Sequence, residues 1–198
     1  MEYFRKEYGA PERKKIDAAT WIRIGLLSLL GLAGALLVGG VIWFFVTFTS
    51  IDIKGKNIHI LYPRGWRVDR PAQADVVAGF VSPKENALDQ FAENVVLSTY
   101  DMSRDPLTTE KYVEVMIKQM NAVFSNIRLV DKGYFLVAGR SGYRLVFRVD
   151  EAVPKIIVVY AFTIEDTGYN MLYMGAEDRY PKDRPLTDMM ALMLRAKY

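Results

Sequence analysis

The sequence predicts an α+β protein: a mainly antiparallel β-sheet flanked by helices on both faces, preceded by one transmembrane α-helix. Three observations carry this. An uncharged apolar run fills residues 24–50. Two later segments repeat apolar residues at helical spacing. Around them lie short β-branched and aromatic runs broken by Pro, Gly, Asn and Asp, the pattern of strands and turns.

From Ile24 to Ser50 no residue is charged, and Arg23 and Asp52 bracket the run. A helix of that length reaches about 40 Å, more than the ~30 Å hydrocarbon core of a bilayer. Trp21 and Arg23 at one end, and Trp43, Phe44, Phe45 and Phe48 at the other, are the residues expected at the two membrane interfaces. A cleaved signal peptide has a much shorter apolar core followed by a small-x-small site. Here the one Ala-x-Ala triplet of the run, Ala33-Gly34-Ala35, lies at its middle. The run therefore reads as an uncleaved signal-anchor. Gly31, Ala35 and Gly39 recur every fourth residue and form a small-residue stripe. It suits close helix–helix packing, either with itself or with a membrane complex. Gly25, Gly34 and Gly40 fall off the stripe, as expected if glycine is merely common in such helices.

Six Lys/Arg precede the span, and four (Lys54, Lys56, Arg64, Arg67) follow within about twenty residues. This bias predicts a cytoplasmic N-terminus and an extracytoplasmic, periplasmic domain at a bacterial inner membrane. The expected organisation is a tail over 1–20, the span over 21–50, a linker over 51–56 and one domain over 57–198.

Within the domain, strands are expected at 57–62, 76–81 and 95–100. Thr108 is a good N-cap, with Glu110 in the first turn after it. Tyr112, Val113, Met116, Ile117, Met120, Val123 and Phe124 then define a helix over 109–124. Strands resume at 127–130 and 134–138, with a tight turn over Gly139–Gly142. Tyr143 to Val149 alternates in polarity, whereas Lys155 to Ile164 is apolar on both faces and belongs mid-sheet. A strand over 169–176 and a helix over 185–196 close the chain. The order is β-β-β-α-β-β-β-β-α.

That order, with its punctuation, resembles the PsbP-like domain family. The matching pieces are Tyr62-Pro63-Arg64-Gly65-Trp66, Phe80-Val81-Ser82-Pro83, Phe91-Ala92-Glu93-Asn94-Val95, Leu107-Thr108 to Tyr112, and the Gly139–Arg144 hairpin. The family includes an extrinsic photosystem II subunit, a yeast import factor that binds the GTPase Ran, and bacterial lipoproteins. The resemblance covers 57–198 and implies a non-enzymatic domain that docks on a larger assembly. It supplies no catalytic residue. The membrane span departs from the photosynthetic subunits and argues against a photosystem role.

Composition narrows the chemistry. The chain has 198 residues and a net charge of +3. Residues 1–23 hold six basic and four acidic residues, and the rest holds 20 against 19, so the domain carries no footprint for nucleic acid. With no cysteine, thiolate chemistry and Cys-ligated metals are excluded. His59 is the single histidine, and no nucleophile elbow accompanies it. No P-loop or dinucleotide fingerprint is present. No catalytic residue and no cofactor are expected, and the reading is not that of an enzyme. Asp150-Glu151 and Glu165-Asp166, both at turns, are weak candidates for a hard-cation site if they meet; otherwise they are solvated turn carboxylates. Trp66 and Tyr100 are candidates for a partner surface, or else half-buried packing residues. The function expected is an accessory or interaction subunit of a membrane complex, with a ligand-, lipid- or metal-binding module as the alternative.

Overall fold

The computed structural model describes residues 18–53, 57–69, 73, 75–84 and 92–196, with backbone only over 18–24. The tail 1–17, residues 54–56, Phe91 and the side chains of Trp21 and Arg23 lie outside that description. The chain divides into two compact units, Met1–Val46 and Thr47–Tyr198.

The first unit is built on helix α1 (Ala18–Thr47). Gly25–Thr47 is apolar and long enough to cross a membrane. Its leucines stand open: Leu27, Leu30 and Leu37 are each about two-thirds exposed or more. Such a surface is costly in water and suited to lipid. A Cβ added at Gly31 or Gly39 would meet no atom within 4 Å.

The second unit begins three residues earlier than the predicted end of the span. Strand β1 (Phe48–Ile53) pairs antiparallel with β2 (Ile58–Pro63), placing Asp52 opposite His59. Residues 48–50, expected in the membrane, and 51–53, expected as linker, are therefore sheet. Phe48 is not an interfacial anchor: it is 3% exposed, in the domain core. The cause is pairing. Phe48–Ser50 is uncharged and continues the membrane run in sequence, and pairing with β2 takes it out of the helix. Arg64 reinforces the junction, its backbone N–H donating to the Thr47 carbonyl and its Nε to that of Phe48.

The main sheet contains β3 (Arg67–Asp69), β4 (Val76–Val81), β5 (Asn94–Asp101), β6 (Ile127–Val137), β7 (Arg140–Val149), β8 (Lys155–Ile164) and β9 (Thr167–Ala176). Its order is β3-β4-β5-β9-β8-β7-β6, antiparallel throughout. Helix α2 (Thr109–Val123) starts as predicted, with Thr108 Oγ1 accepting from the Lys111 N–H. It packs Tyr112, Val113 and Met116 onto Leu145, Phe147, Ile157 and Val159. Helix α3 (Tyr180–Met193) covers the other face, where Tyr160 and Tyr173 meet Thr187 and Asp183. Strand β8 is thus buried on both sides, as its doubly apolar sequence requires. A two-residue strand, β10 (Arg195–Ala196), joins β2.

Three expectations change. Segments 127–130 and 134–138 form one strand, β6, because the polar Asp131-Lys132-Gly133 between them is a bulged edge rather than a turn. The hairpin turn is Ala138-Gly139, both at positive φ, and Gly142 lies inside β7. There the Ala161 carbonyl sits 2.7 Å from where a Cβ would be, so the sheet needs glycine. Helix α3 starts at Tyr180, five residues before Pro185, which it carries in its interior. A buried contact anchors that first stretch: Tyr173 Oη donates to Asp183 Oδ2 at 2.9 Å; beyond Pro185, Thr187 Oγ1 lies 3.2 Å from Tyr160 Oη.

Candidate ligand groove and interaction surfaces

Helix α2 covers β7, β8 and β9, and beside it the face of β5 forms the floor of a groove of about 390 Å³. That lies within the size range of small-molecule sites. Val96, Leu172 and Met116 supply apolar surface, and Asp75, Ser98, Gln119 and Asn170 bring polar atoms to its walls. Tyr112 reaches it from α2. Its ring lies over Gly168, where a Cβ would stand 2.6 Å from ring carbons. Asn170 Nδ2 donates to Tyr112 Oη at 3.2 Å, leaving the phenol's own proton for another acceptor. Burial pushes the Tyr112 phenol up to about 12, so it is a neutral donor at any physiological pH. Tyr100, 55% exposed, stands at the groove's mouth.

Of the two expected partner-surface residues, Tyr100 is therefore open, whereas Trp66 is half-buried. They do not form one patch. Trp66 precedes Arg67, which is level with Val81 and Asn94, and Tyr100 is six residues further along β5. The acidic pairs are also separated. Asp150 and Glu151 precede β8, and Glu165 and Asp166 follow it, so a ten-residue strand of about 30 Å lies between them. They cannot share a cation. Asp150 faces Arg128 and Arg148, and Glu151 Oε2 binds Lys155 Nζ at 2.7 Å, so both have cationic partners already. His59 Nδ1 lies 2.8 Å from Asp52 Oδ1 across β1–β2, a pairing that depends on residues 51–53 being strand rather than linker.

Two buried polar clusters lie beneath α3. Glu93, 4% exposed, accepts from Ser82 Oγ at 2.7 Å and faces Arg179 at 3.5 Å. Asp183 beside it is held above the usual carboxylate range by burial and by the nearby Glu93 charge, the Tyr173 hydroxyl opposing them. In the second cluster, Tyr160 Oη donates to Asp188, which also faces Arg144 and Arg184. Burial, then Asp188, push the Tyr160 phenol far up. These groups fasten α3 to the sheet.

The fold defines the class: one apolar helix joined to an antiparallel sheet sandwiched between helices. No protein-family model and no curated protein matches the sequence. Solved structures do match. Cyanobacterial PsbP (CyanoP) from Synechocystis sp. PCC 6803 superposes with a TM-score of 0.57 at 18% identity, over 77% of this chain and 94% of that one. The Saccharomyces cerevisiae Ran-binding protein Mog1p gives 0.57 at 10% identity, over 76% and 96%. LpqN, involved in cell envelope biogenesis of Mycobacterium tuberculosis, gives 0.55 at 10% identity, over 76% and 91%. The domain has the PsbP-like fold.

Proposed function

We propose that this chain is a non-catalytic accessory subunit of an integral membrane complex. One uncleaved signal-anchor helix holds it, its N-terminus is cytoplasmic, and its PsbP-like domain works on the outer, periplasmic surface of a bacterial inner membrane. The carrying observation is that the apolar helix ends at Thr47 and the sheet begins at Phe48, so no spacer separates tether from domain. Such a domain reaches only partners resident at the membrane. Mog1p, a Ran-binding protein of the same fold, supports a docking role. The stripe of Gly31, Ala35 and Gly39 is the proposed helix-packing face. Trp21, Arg23, Trp43, Phe44 and Phe45 are the proposed interfacial anchors. Purification of the intact chain in mild detergent should yield stoichiometric membrane-protein partners by mass spectrometry. Recovery of this chain alone at native expression would contradict the reading. Protease added to right-side-out vesicles should remove the domain, and full resistance would reverse the orientation.

The groove beside α2 favours a second reading, a membrane-tethered module for a small ligand. Among its described lining residues Asp75 is the charged one, which favours a neutral or cationic ligand. A bound ligand raises the melting temperature by mass action. A thermal-shift screen in which Tyr112→Phe abolishes a hit would support it, and a screen without hits would dismiss it.

A further inference from the structure

Strand β6 is the open edge of the seven-stranded sheet, eleven residues long. The opposite edge, β3, is protected in the usual way: three residues long, with Arg67 and Asp69 paired across it. Strand β6 instead exposes apolar side chains. Tyr134 is 77% exposed, Leu136 52%, Val130 49% and Leu129 39%. A long edge with this surface is a template for another strand.

The geometry of the hairpin decides which strand. Ala138 and Gly139 make a two-residue turn, so Val137 and Arg140 are a hydrogen-bonded pair. Counting back, Leu136, Tyr134 and Lys132 direct their backbone N–H and C=O away from β7. The bulge between Leu129 and Asp131 shifts the phase by one residue. Beyond it the outward residues are Leu129 and Ile127. All five outward residues lie on the α2 side of the sheet: Tyr143, Leu145, Phe147 and Val149, the β7 partners of four of them, face α2, and Leu136, two residues from Tyr134, shares that face. Val130 and Asp131 share one rung, so the outward residues alternate evenly along the edge with Lys132 at their centre. If a second β6 runs antiparallel, only one register uses the whole strand with faces and hydrogen bonds both matched. It sets Tyr134 against Leu129 of the other copy, and Leu136 against Ile127, each twice. In the same register Arg128 meets Phe135 on the α3 side, and the two Lys132 residues meet at the two-fold axis, while Asp131 stays with Arg144 on the α3 side.

We propose that two copies of this chain join through β6 in that register, forming a closed two-fold dimer with one continuous fourteen-stranded sheet. The interface would gain about eight backbone hydrogen bonds and cover the four exposed apolar residues. This goes beyond the accessory-subunit reading, and rests on it only in using the membrane tether to raise the local concentration of the copies.

The absence of cysteine makes the test direct. Full-length chains carrying Leu129→Cys and chains carrying Tyr134→Cys, with distinguishable tags, are co-expressed. Their membranes are washed with alkaline carbonate and oxidised with copper–phenanthroline. The mixed pair should give a disulfide-linked dimer at least tenfold above either variant alone, since like positions lie five residues apart, about 17 Å. Ile127→Cys with Leu136→Cys should behave likewise. Chain retained in the washed membrane without mixed dimers would overturn the pairing. So would dimers of Tyr134→Cys alone, which mark a shorter register, or links only to other proteins. Chain lost in the wash would instead contradict the tether.

Discussion

Phe48→Ala separates a domain that starts at Phe48 from one that starts after a linker. If Phe48 were an interfacial aromatic, its truncation would leave the domain untouched. In the structure it is 3% exposed and opens β1, opposite Pro63 at the end of β2. Removing a buried phenyl ring and leaving a cavity costs about 3–5 kcal/mol. For a domain of this size each kcal/mol lowers the melting temperature by about 2–4 °C, so the expected loss is roughly 10 °C. The assay is thermal unfolding of the intact protein in detergent, followed by near-ultraviolet circular dichroism, which reports domain packing rather than helix content. Phe45→Ala is the control, because Phe45 is 65% exposed on the apolar helix; its domain should melt with the wild type. If the two variants melt together at the wild-type temperature, β1 is not part of the core and the reasoning fails.

Gly168→Ala places a methyl group 2.6 Å from the Tyr112 ring and should cost about 1–3 kcal/mol, read by urea unfolding. Ala138→Gly should stabilise by about 1 kcal/mol in the same assay, since Ala138 sits at φ 53, where a Cβ is strained. Burial raises the folded-state pKa of Asp183, so in the pH interval between its unfolded and folded values the native protein binds a proton more readily than the unfolded chain. Its contribution to stability is therefore greatest at low pH and declines as pH rises through the folded-state pKa. Asp183→Asn, which still accepts from Tyr173, should flatten that decline and raise the melting temperature at pH 7.

Much of this fold is written locally. The α2 stripe, its Thr108 cap and the doubly apolar β8 are signals within one segment, and each element appears where its residues point. What escaped depends on partners distant in sequence. Strand β1 is hidden because its first half, Phe48–Ser50, continues the uncharged run and its second half reads as linker; the pairing with β2 joins the two. The β6 bulge looks like a turn because Asp131-Lys132-Gly133 is polar, yet an edge strand tolerates polar residues. Pro185 suggests a helix start, but the buried contact of Asp183 with Tyr173 holds a further turn of α3 upstream of it. Of the site, Tyr100 stood out as a large residue near a turn. The groove did not, because Asp75, Gln119 and Asn170 come from three separate segments. The acidic pairs flank the predicted strand over 155–164, and the structure keeps them at its two ends.

The account turns on a single helix that stays in the membrane after synthesis. Alkaline carbonate extraction of membranes, followed by intact-mass measurement of the retained chain, tests it most directly. The prediction is a carbonate-resistant polypeptide of 22.6 kDa that still carries residues 24–47. A soluble product whose mass places its first residue beyond the apolar run would contradict it.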